Sequence, residues 1–421
     1  MSELAVARAE ATATVPRHLR RWVVLGVLCL IYISSWIDRV KLPVALADAK
    51  FKQLFHLDDV GRGWLNSAFG WTYAILQIPA GWVVDRFGAK RSLTLGFLLW
   101  SLTGAGTGFV STFGQLFVMR LVLGIAETVV TPGGMRWIRY NIPAERRGLA
   151  IGIFMAAAKV GPAVGNYVAP LVLMAYGWQN MFIWLGLGAL VCVLPWVVLA
   201  EDTDRGATAA QRTSSAPATP LGELLRTPVL WGTLVATFGY QYFNYYCLNW
   251  MPAYFVERHH LTMSQMKDVA SLSYAGFAAV AIAAGWWADR LIQRGADPVD
   301  TRRRFAMAGL LVASTQLLGA FAPSQKMALF CAVFSLSGLG LATASYWALT
   351  QTLLPNVSVG RLVGIQNCAA NLPAIVAPLL TGYLLQKSGG YVVPMVAAAI
   401  FLLLGILSYL FVVRREYAPR T

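Results

Sequence analysis

The stretch "GWVVDRFGAKR", residues 81–91, closes one apolar segment and leads into the next, and it occurs again as "GWWADRLIQRG" at 285–295. Both copies read G-W-x-x-D-R, at the matching place in each half of the chain. A loop that recurs in this way points to a chain built from two copies of one unit. Between the copies lies "EDTDRGATAAQRTSSAPATPLGELLRTP" (201–228), the longest polar stretch, whose Ala, Thr, Ser and Pro content suits a connector.

The segments around these loops decide the class. Of 421 residues 57% are hydrophobic and 13% charged, with a mean hydropathy of +0.58, whereas a soluble domain is about one quarter charged. Apolar runs long enough to cross the ~30 Å hydrocarbon layer as helices recur from end to end. Twelve spans are predicted, at 22–47, 63–84, 92–110, 113–135, 148–171, 178–200, 229–255, 267–288, 304–322, 326–352, 361–386 and 390–413. The net charge of +15 would suit a nucleic-acid binder, but its placement argues against one. Arg17, Arg20 and Arg21 precede span 1, Lys90 and Arg91 follow span 2, and Arg136, Arg139, Arg146 and Arg147 follow span 4. Alternate loops are nearly bare, with Lys326 and Lys387 as exceptions. By the positive-inside rule both termini are cytoplasmic, which requires an even number of spans.

The expectation is an all-α polytopic membrane protein with twelve transmembrane helices in two six-helix pseudo-symmetric bundles. Its parts are a cytoplasmic tail (1–21), a first bundle (22–200), the linker (201–228), a second bundle (229–413) and a second tail (414–421). Cys29, Cys192, Cys247, Cys331 and Cys368 lie inside spans without metal-ligand spacing and read as small packing residues. No metal and no cofactor is expected. No cleavable leader is evident, because the first apolar segment runs on into Asp38-Arg39. The sequon Asn356-Val357-Ser358 falls on the cytoplasmic side of this topology.

Internal repeats of this kind are used by transporters, with the substrate near the midplane. The loop Gly81-x-x-x-Asp85-Arg86-x-Gly88-x-Lys90-Arg91 resembles the loop 2–3 signature of the major facilitator superfamily. The resemblance implies a gating latch formed by Gly81, Asp85, Arg86 and Gly88, echoed by Asp289 and Arg290 in the second half.

Charges inside spans are costly and functional by default, at roughly 2.5–3.5 kcal/mol each at the bilayer centre. The first half carries six candidates: Asp38, Arg39, Lys41, Arg120, Glu127 and Lys159. Arg120 and Glu127 share one face of span 4, about 10 Å apart. Lys159 lies ~16 Å into span 5, and Asp38 and Arg39 lie ~24 Å into span 1. Four cations against two acids leave a surplus of two positive charges, and protonating both acids raises it to four. Lys41 either joins this cavity or snorkels to the outer surface. Such a cavity attracts anions, and an Arg meets a planar carboxylate with two parallel hydrogen bonds. The inferred substrate is a small organic anion, with protons as the coupling ion. Burial disfavours a charged carboxyl while a neighbouring Arg favours it. A substrate that competes for that Arg therefore binds together with a proton at Asp38 or Glu127.

Further candidates line this reading. Tyr32, Ser35 and Arg39 fall on one face of span 1, and Pro43 is expected to loosen the helix beyond them. Asn66 and Tyr73 lie seven residues apart on span 2. In the second half, Tyr240, Gln241, Asn244 and Tyr245 on span 7, Ser345 and Trp347 on span 10, and Asn367 and Asn371 on span 11 offer neutral polar groups.

"Y-x5-D-R-x-x-L", "SAFGWTYAILQIPAGW", "R-x3-G-x-x-E-x4-P" and "GRLVGIQNCAANLPAIVAPLLTGYLL" together resemble the anion:cation symporter family, over nearly the whole chain. That family includes bacterial proton-coupled carriers of sugar acids, and sialin and the vesicular glutamate transporters are relatives. The resemblance implies proton sites at Asp38 and Glu127, binding or gating at Arg39 and Arg120, and amide contacts from Asn367 and Asn371. It also implies a bacterial inner membrane location and action as a monomer. Lys41 and Lys159 depart from the family pattern, and an extra midplane cation suggests a second carboxylate, or a smaller or more acidic substrate. "GLAIGIFMAAAKVGPAVGN" (148–166) partly matches an antiporter signature, so proton or anion exchange is the alternative. A receptor or sensor is the non-transport alternative. No catalytic triad, metal cluster or nucleotide loop suggests an enzyme.

Overall fold

The computed structural model describes residues 17–143, 146–201, 224–354, 359–414 and 416. Most of the predicted linker and the sequon Asn356-Val357-Ser358 lie outside the described residues. Every predicted span is helical, and among the described residues there is no strand. Seven helices are long and apolar enough to cross a membrane by length and composition alone. Several of the other spans fall short because they are interrupted or carry polar residues. The outward-facing side chains are large and apolar, Ile78, Leu95, Val191 and Leu194 among them, and only helices satisfy their own backbone groups in lipid. The protein is a multi-pass membrane protein.

By contacts the chain forms two units, 1–45 with 71–213 and 46–70 with 214–421. The first unit begins with α1 (Arg17–Ala47), which runs unbroken through Pro43. The expected loosening there does not interrupt the helix. Span 2 is divided at Leu76 into α3 (Asp59–Ile75) and α4 (Gln77–Phe87), with the short α2 (Ala49–Leu54) before it. Gly88, at φ +84°, turns the chain into α5 (Ala89–Gly106), a conformation that any residue with a Cβ resists. Span 4 is α6 (Phe113–Glu127) followed by α7 (Val130–Asn141). Thr112 and Gln115 form a capping box at the start of α6, satisfying its first N–H groups. Spans 5 and 6 form α8 (Arg147–Gly188), divided at Gly177, also at φ +84°, and end in α9 (Val193–Leu199). Trp100, Phe97, Phe154 and Trp196 fill the interior of this unit.

The second unit contains α10 (Pro228–His259), α11 (Met263–Gln293), α12 (Pro298–Ser314), α13 (Gln316–Ala320) and α14 (Gln325–Leu353). It ends with α15 (Val359–Asn371), α16 (Pro373–Ser388) and α17 (Val392–Phe411). Its core is aromatic, with Tyr240, Tyr242, Phe243, Tyr246 and Trp250 all buried on α10. The first part of α3 belongs to this unit and lies close along α16. A methyl group at Gly63 would meet the Pro378 carbonyl oxygen at 2.8 Å, and one at Gly70 that of Ala374 at 2.7 Å. Small residues are what permit backbones in membranes to approach this closely.

Candidate functional site

In the first unit, α1 and α6 bring the predicted charges together. Arg39 Nε donates to Glu127 Oε2 at 2.8 Å, with both side chains almost wholly enclosed. The guanidinium carbon lies 4.4 Å from the Trp36 ring centre and 4.6 Å from that of Tyr73. Two aromatic faces therefore hold the Arg39 plane while its edge meets the carboxylate. Glu127 Oε1 has no hydrogen-bond partner among the described residues. Asp38 and the buried Arg120 are within electrostatic reach of Glu127. Trp36 escaped the sequence reading, because an aromatic residue in a membrane span reads as packing.

One turn on, Asp38 pairs with Lys41, and neither side chain is accessible to solvent. Lys41 does not snorkel. Its Nζ lies 5.5 Å from the Phe182 ring centre of α8, and the pair rests on the bare backbone of Gly104 in α5. A methyl group at 104 would sit 3.0 Å from Lys41 Nζ and 3.2 Å from Asp38 Oδ1. The i, i+3 spacing explains the correction: on a helix, residues three apart are neighbours, so Lys41 finds an anion closer than water.

Tyr32 stacks on Phe154 of α8 at 4.5 Å, and its hydroxyl lies 3.4 Å from that of Thr131. Ser35 is buried and donates to the Tyr32 carbonyl. Packing encloses both of these residues, which were expected to line a cavity. Lys159 is half-buried on α8. Nearby, Gly161 lies against Trp36 and Gly165 against Ile37 and Val40 of α1. Close helix contact thus accounts for these two glycines of the partial antiporter signature.

The two repeated loops share a geometry as well as a sequence. Arg86 lies over Trp82 at 5.5 Å, and Arg290 over Trp286 at 5.4 Å. Asp85 pairs with Arg136 at 2.6 Å, and Asp289 with Arg302 at 3.3 Å. In each copy the Arg stacks on the Trp one turn before it, and the Asp reaches an Arg on another helix. Gly81 has open space around it.

In the second unit, Asn244 Nδ2 donates to Gln241 Oε1 at 3.4 Å, so the two share a face as the spacing predicts. Tyr240 bonds Thr343 at 2.8 Å and packs on Tyr346 at 4.5 Å, while Tyr245 and Ser345 are buried. Asn371 caps the Asn367 carbonyl at 2.8 Å. Asn66 is buried, and its Oδ1 lacks a hydrogen bond among the described residues. Gln366, missed by the sequence reading, is enclosed and donates to Thr237.

The sequence also gave no warning of a charged cluster at one end of this unit. Glu257 receives Lys52, Arg62 at 3.1 Å and the Tyr391 hydroxyl at 2.5 Å, and Arg62 also holds Asp59 at 2.7 Å. Arg62 lies over the Trp250 ring at 4.8 Å. These residues come from four separate segments, and none stands at a motif spacing from another apart from Asp59 and Arg62.

Comparison with known proteins agrees with this architecture. The family model of the Major Facilitator Superfamily matches residues 27–356 and 259–421. The chain is 27% identical to the probable galactarate/D-glucarate transporter GarP of Escherichia coli (strain K12), over 93% of this chain and 94% of that protein. It is 28% identical to the probable sulfoacetate transporter SauU of Cupriavidus necator, again over 93% and 94%. Among solved structures, a bacterial homologue of the human lysosomal transporter Spinster superposes with a TM-score of 0.75 at 19% identity. That match covers 94% of this chain and 97% of the other.

Proposed function

We propose that this chain, which belongs to the Major Facilitator Superfamily, takes up a small organic carboxylate together with protons by alternating access. It is a transporter and not an enzyme. The observation that carries the finer reading is the Arg39–Glu127 pair, enclosed yet with one carboxylate oxygen unbonded, and with Arg120 in electrostatic reach. A substrate carboxylate approaching Arg120 and then Arg39 competes with Glu127 for the guanidinium. As Arg39 turns to the substrate, Glu127 loses its counter-ion in a poorly hydrated site and takes a proton. Anion and proton then bind as a linked pair, which is the thermodynamic condition for symport. On release of the anion, Arg39 re-forms its bond to Glu127 and the proton leaves.

Substrate class follows from charge and from the relatives. Galactarate, D-glucarate and sulfoacetate each carry two acidic groups, and the six in-span charges of the first unit hold a surplus of two cations. Arg120 is assigned to one acidic group and Lys159 to a second. Gln241, Asn244, Tyr245, Ser345, Asn66, Asn367 and Asn371 supply neutral groups suited to sugar hydroxyls. The Asp85/Arg86 and Asp289/Arg290 loops serve as gating latches. The protein acts as a monomer in a bacterial inner membrane, with both termini cytoplasmic.

Proteoliposome uptake of D-glucarate, D-galactonate and sulfoacetate, with and without an imposed pH gradient, tests this directly. Symport predicts substrate-induced alkalinisation outside the vesicles, and acidification would replace symport by exchange. Lys159→Gln should lose uptake of diacids most strongly. Unchanged affinity for every acid tested would remove Lys159 from the site.

A further inference from the structure

The two acids of the first unit do not have equivalent surroundings, and the difference bears on how many protons move per cycle. We propose that Lys41 is a built-in counter-ion that keeps Asp38 ionised throughout the transport cycle, leaving Glu127 as the single proton carrier. This inference rests on the proton-coupled reading above and deepens it.

Consider what each cation faces when its acid is neutralised. If Glu127 takes a proton, Arg39 still lies between the Trp36 and Tyr73 rings at 4.4 and 4.6 Å, and it can meet an incoming anion. If Asp38 takes a proton, the Lys41 ammonium is left fully buried. Apart from Asp38 it has no hydrogen-bond acceptor among the described residues, and the Phe182 ring lies 5.5 Å from it. Removing one partner of a buried pair is strongly unfavourable because an uncompensated charge remains. The groups that face Asp38 reinforce this reading. Lys41 comes from its own helix, Arg120 reaches it from α6, and the Gly104 backbone of α5 lies against it. Glu127, also on α6, is an acid in electrostatic reach of Asp38, and Arg39 is paired with it.

Geometry separates the pairs in a second way. Asp38 and Lys41 lie one turn apart on one helix, so moving α1 as a body does not separate them. Arg39 and Glu127 lie on different helices, so a shift of α1 against α6 breaks their bond. One pair is fixed by the covalent chain and the other is free to open. With one proton per cycle, a monoanion crosses without net charge. A dianion carries one negative charge inward, against an inside-negative potential.

Infrared difference spectroscopy on purified protein, following the protonated-carboxyl band as pH is varied, tests the proposal without knowledge of the substrate. The unsubstituted protein, Glu127→Gln, Lys41→Gln and the double variant Asp38→Asn/Lys41→Gln are compared. The expected result is loss of one carboxyl band in Glu127→Gln, no loss in the charge-neutral double variant, and a gained band in Lys41→Gln. The double variant keeps the test decisive if Lys41→Gln alone fails to fold. Loss of a band in the double variant overturns the proposal, because Asp38 then carries a proton in the parent. If Glu127→Gln removes no band while the double variant also removes none, the Glu127 reading fails and the assignment of Asp38 as a fixed anion stands.

Discussion

The Arg39–Glu127 and Asp38–Lys41 pairs of the first unit and the Glu257 cluster of the second are built from the same kinds of ion, yet they are satisfied differently. In the first unit Glu127 and Asp38 are shut off from solvent, and each has at least one oxygen without a hydrogen bond among the described residues. At the end of the second, Glu257 is 23% exposed and shared by Lys52, Arg62 and Tyr391. A carboxylate with three donors and access to water gains little from changing partners. For one enclosed without solvent, drawing a donor away bears directly on its charge. Burial by itself does not make an ion pair a working site; what matters is how few alternatives each partner has when the other leaves.

The largest effect should come from Glu127→Gln, which removes the exchangeable partner. Uptake driven by a pH gradient should vanish, while exchange of labelled for unlabelled substrate across the membrane persists. Accumulation equal to that of the parent would place the proton elsewhere. Next, Lys41→Met strands Asp38 in the interior and should cost about 3–5 kcal/mol, read as a lowered Tm in detergent. The double variant Asp38→Asn/Lys41→Gln should recover most of that loss, since the stranded charge is gone.

At the rim the same substitution should matter less. Glu257→Gln leaves Arg62 buried with Asp59 as its remaining carboxylate, and should cost about 1–3 kcal/mol in thermal unfolding. A loss as large as that of Lys41→Met would erase the contrast between the two regions. The pH dependence of this cluster has a definite sign. Glu257 lies just past the predicted span. Burial disfavours its charge, but Arg62, Lys52 and Tyr391 outweigh that and hold its carboxyl below the usual range. The cluster's contribution is therefore complete above the ordinary Glu value of about 4.3 and fades as pH falls through the lower folded value. A Tm difference between parent and Glu257→Gln that stays level from pH 8 to about 5 and narrows below 4 would show it. The smallest change should follow Asp85→Asn. That pair with Arg136 has a mostly exposed carboxylate, and its stability effect should lie within about 1 kcal/mol.

Much of this was legible in the chain. Hydropathy gave the helical spans, because the bilayer imposes one length and one backbone solution on every crossing. The repeated G-W-x-x-D-R loops marked the two halves, and they prove to share an Arg-on-Trp stack as well as a sequence. The six charges inside spans stood out for the same reason, since an ion inside a span needs an explanation. Partners were legible only where they are local. Helical spacing brings Asn244 to Gln241; it also brings Lys41 to Asp38, a partner the sequence reading did not assign, and Gly104 and Phe182 enclose that pair.

What the sequence by itself determined is the class of molecule, its repeat and the presence of charge in its interior, because periodicity and composition act along the chain. Only the tertiary structure decided which acid meets which cation. Arg39 could have faced substrate, Asp38 or Glu127, and the crossing of α1 over α6 selects Glu127. Glu257 draws its partners from α2, α3 and the turn before α17, segments all far from it in sequence. A Coulomb interaction depends on separation in space and on the surrounding medium, and neither is written in the order of the residues.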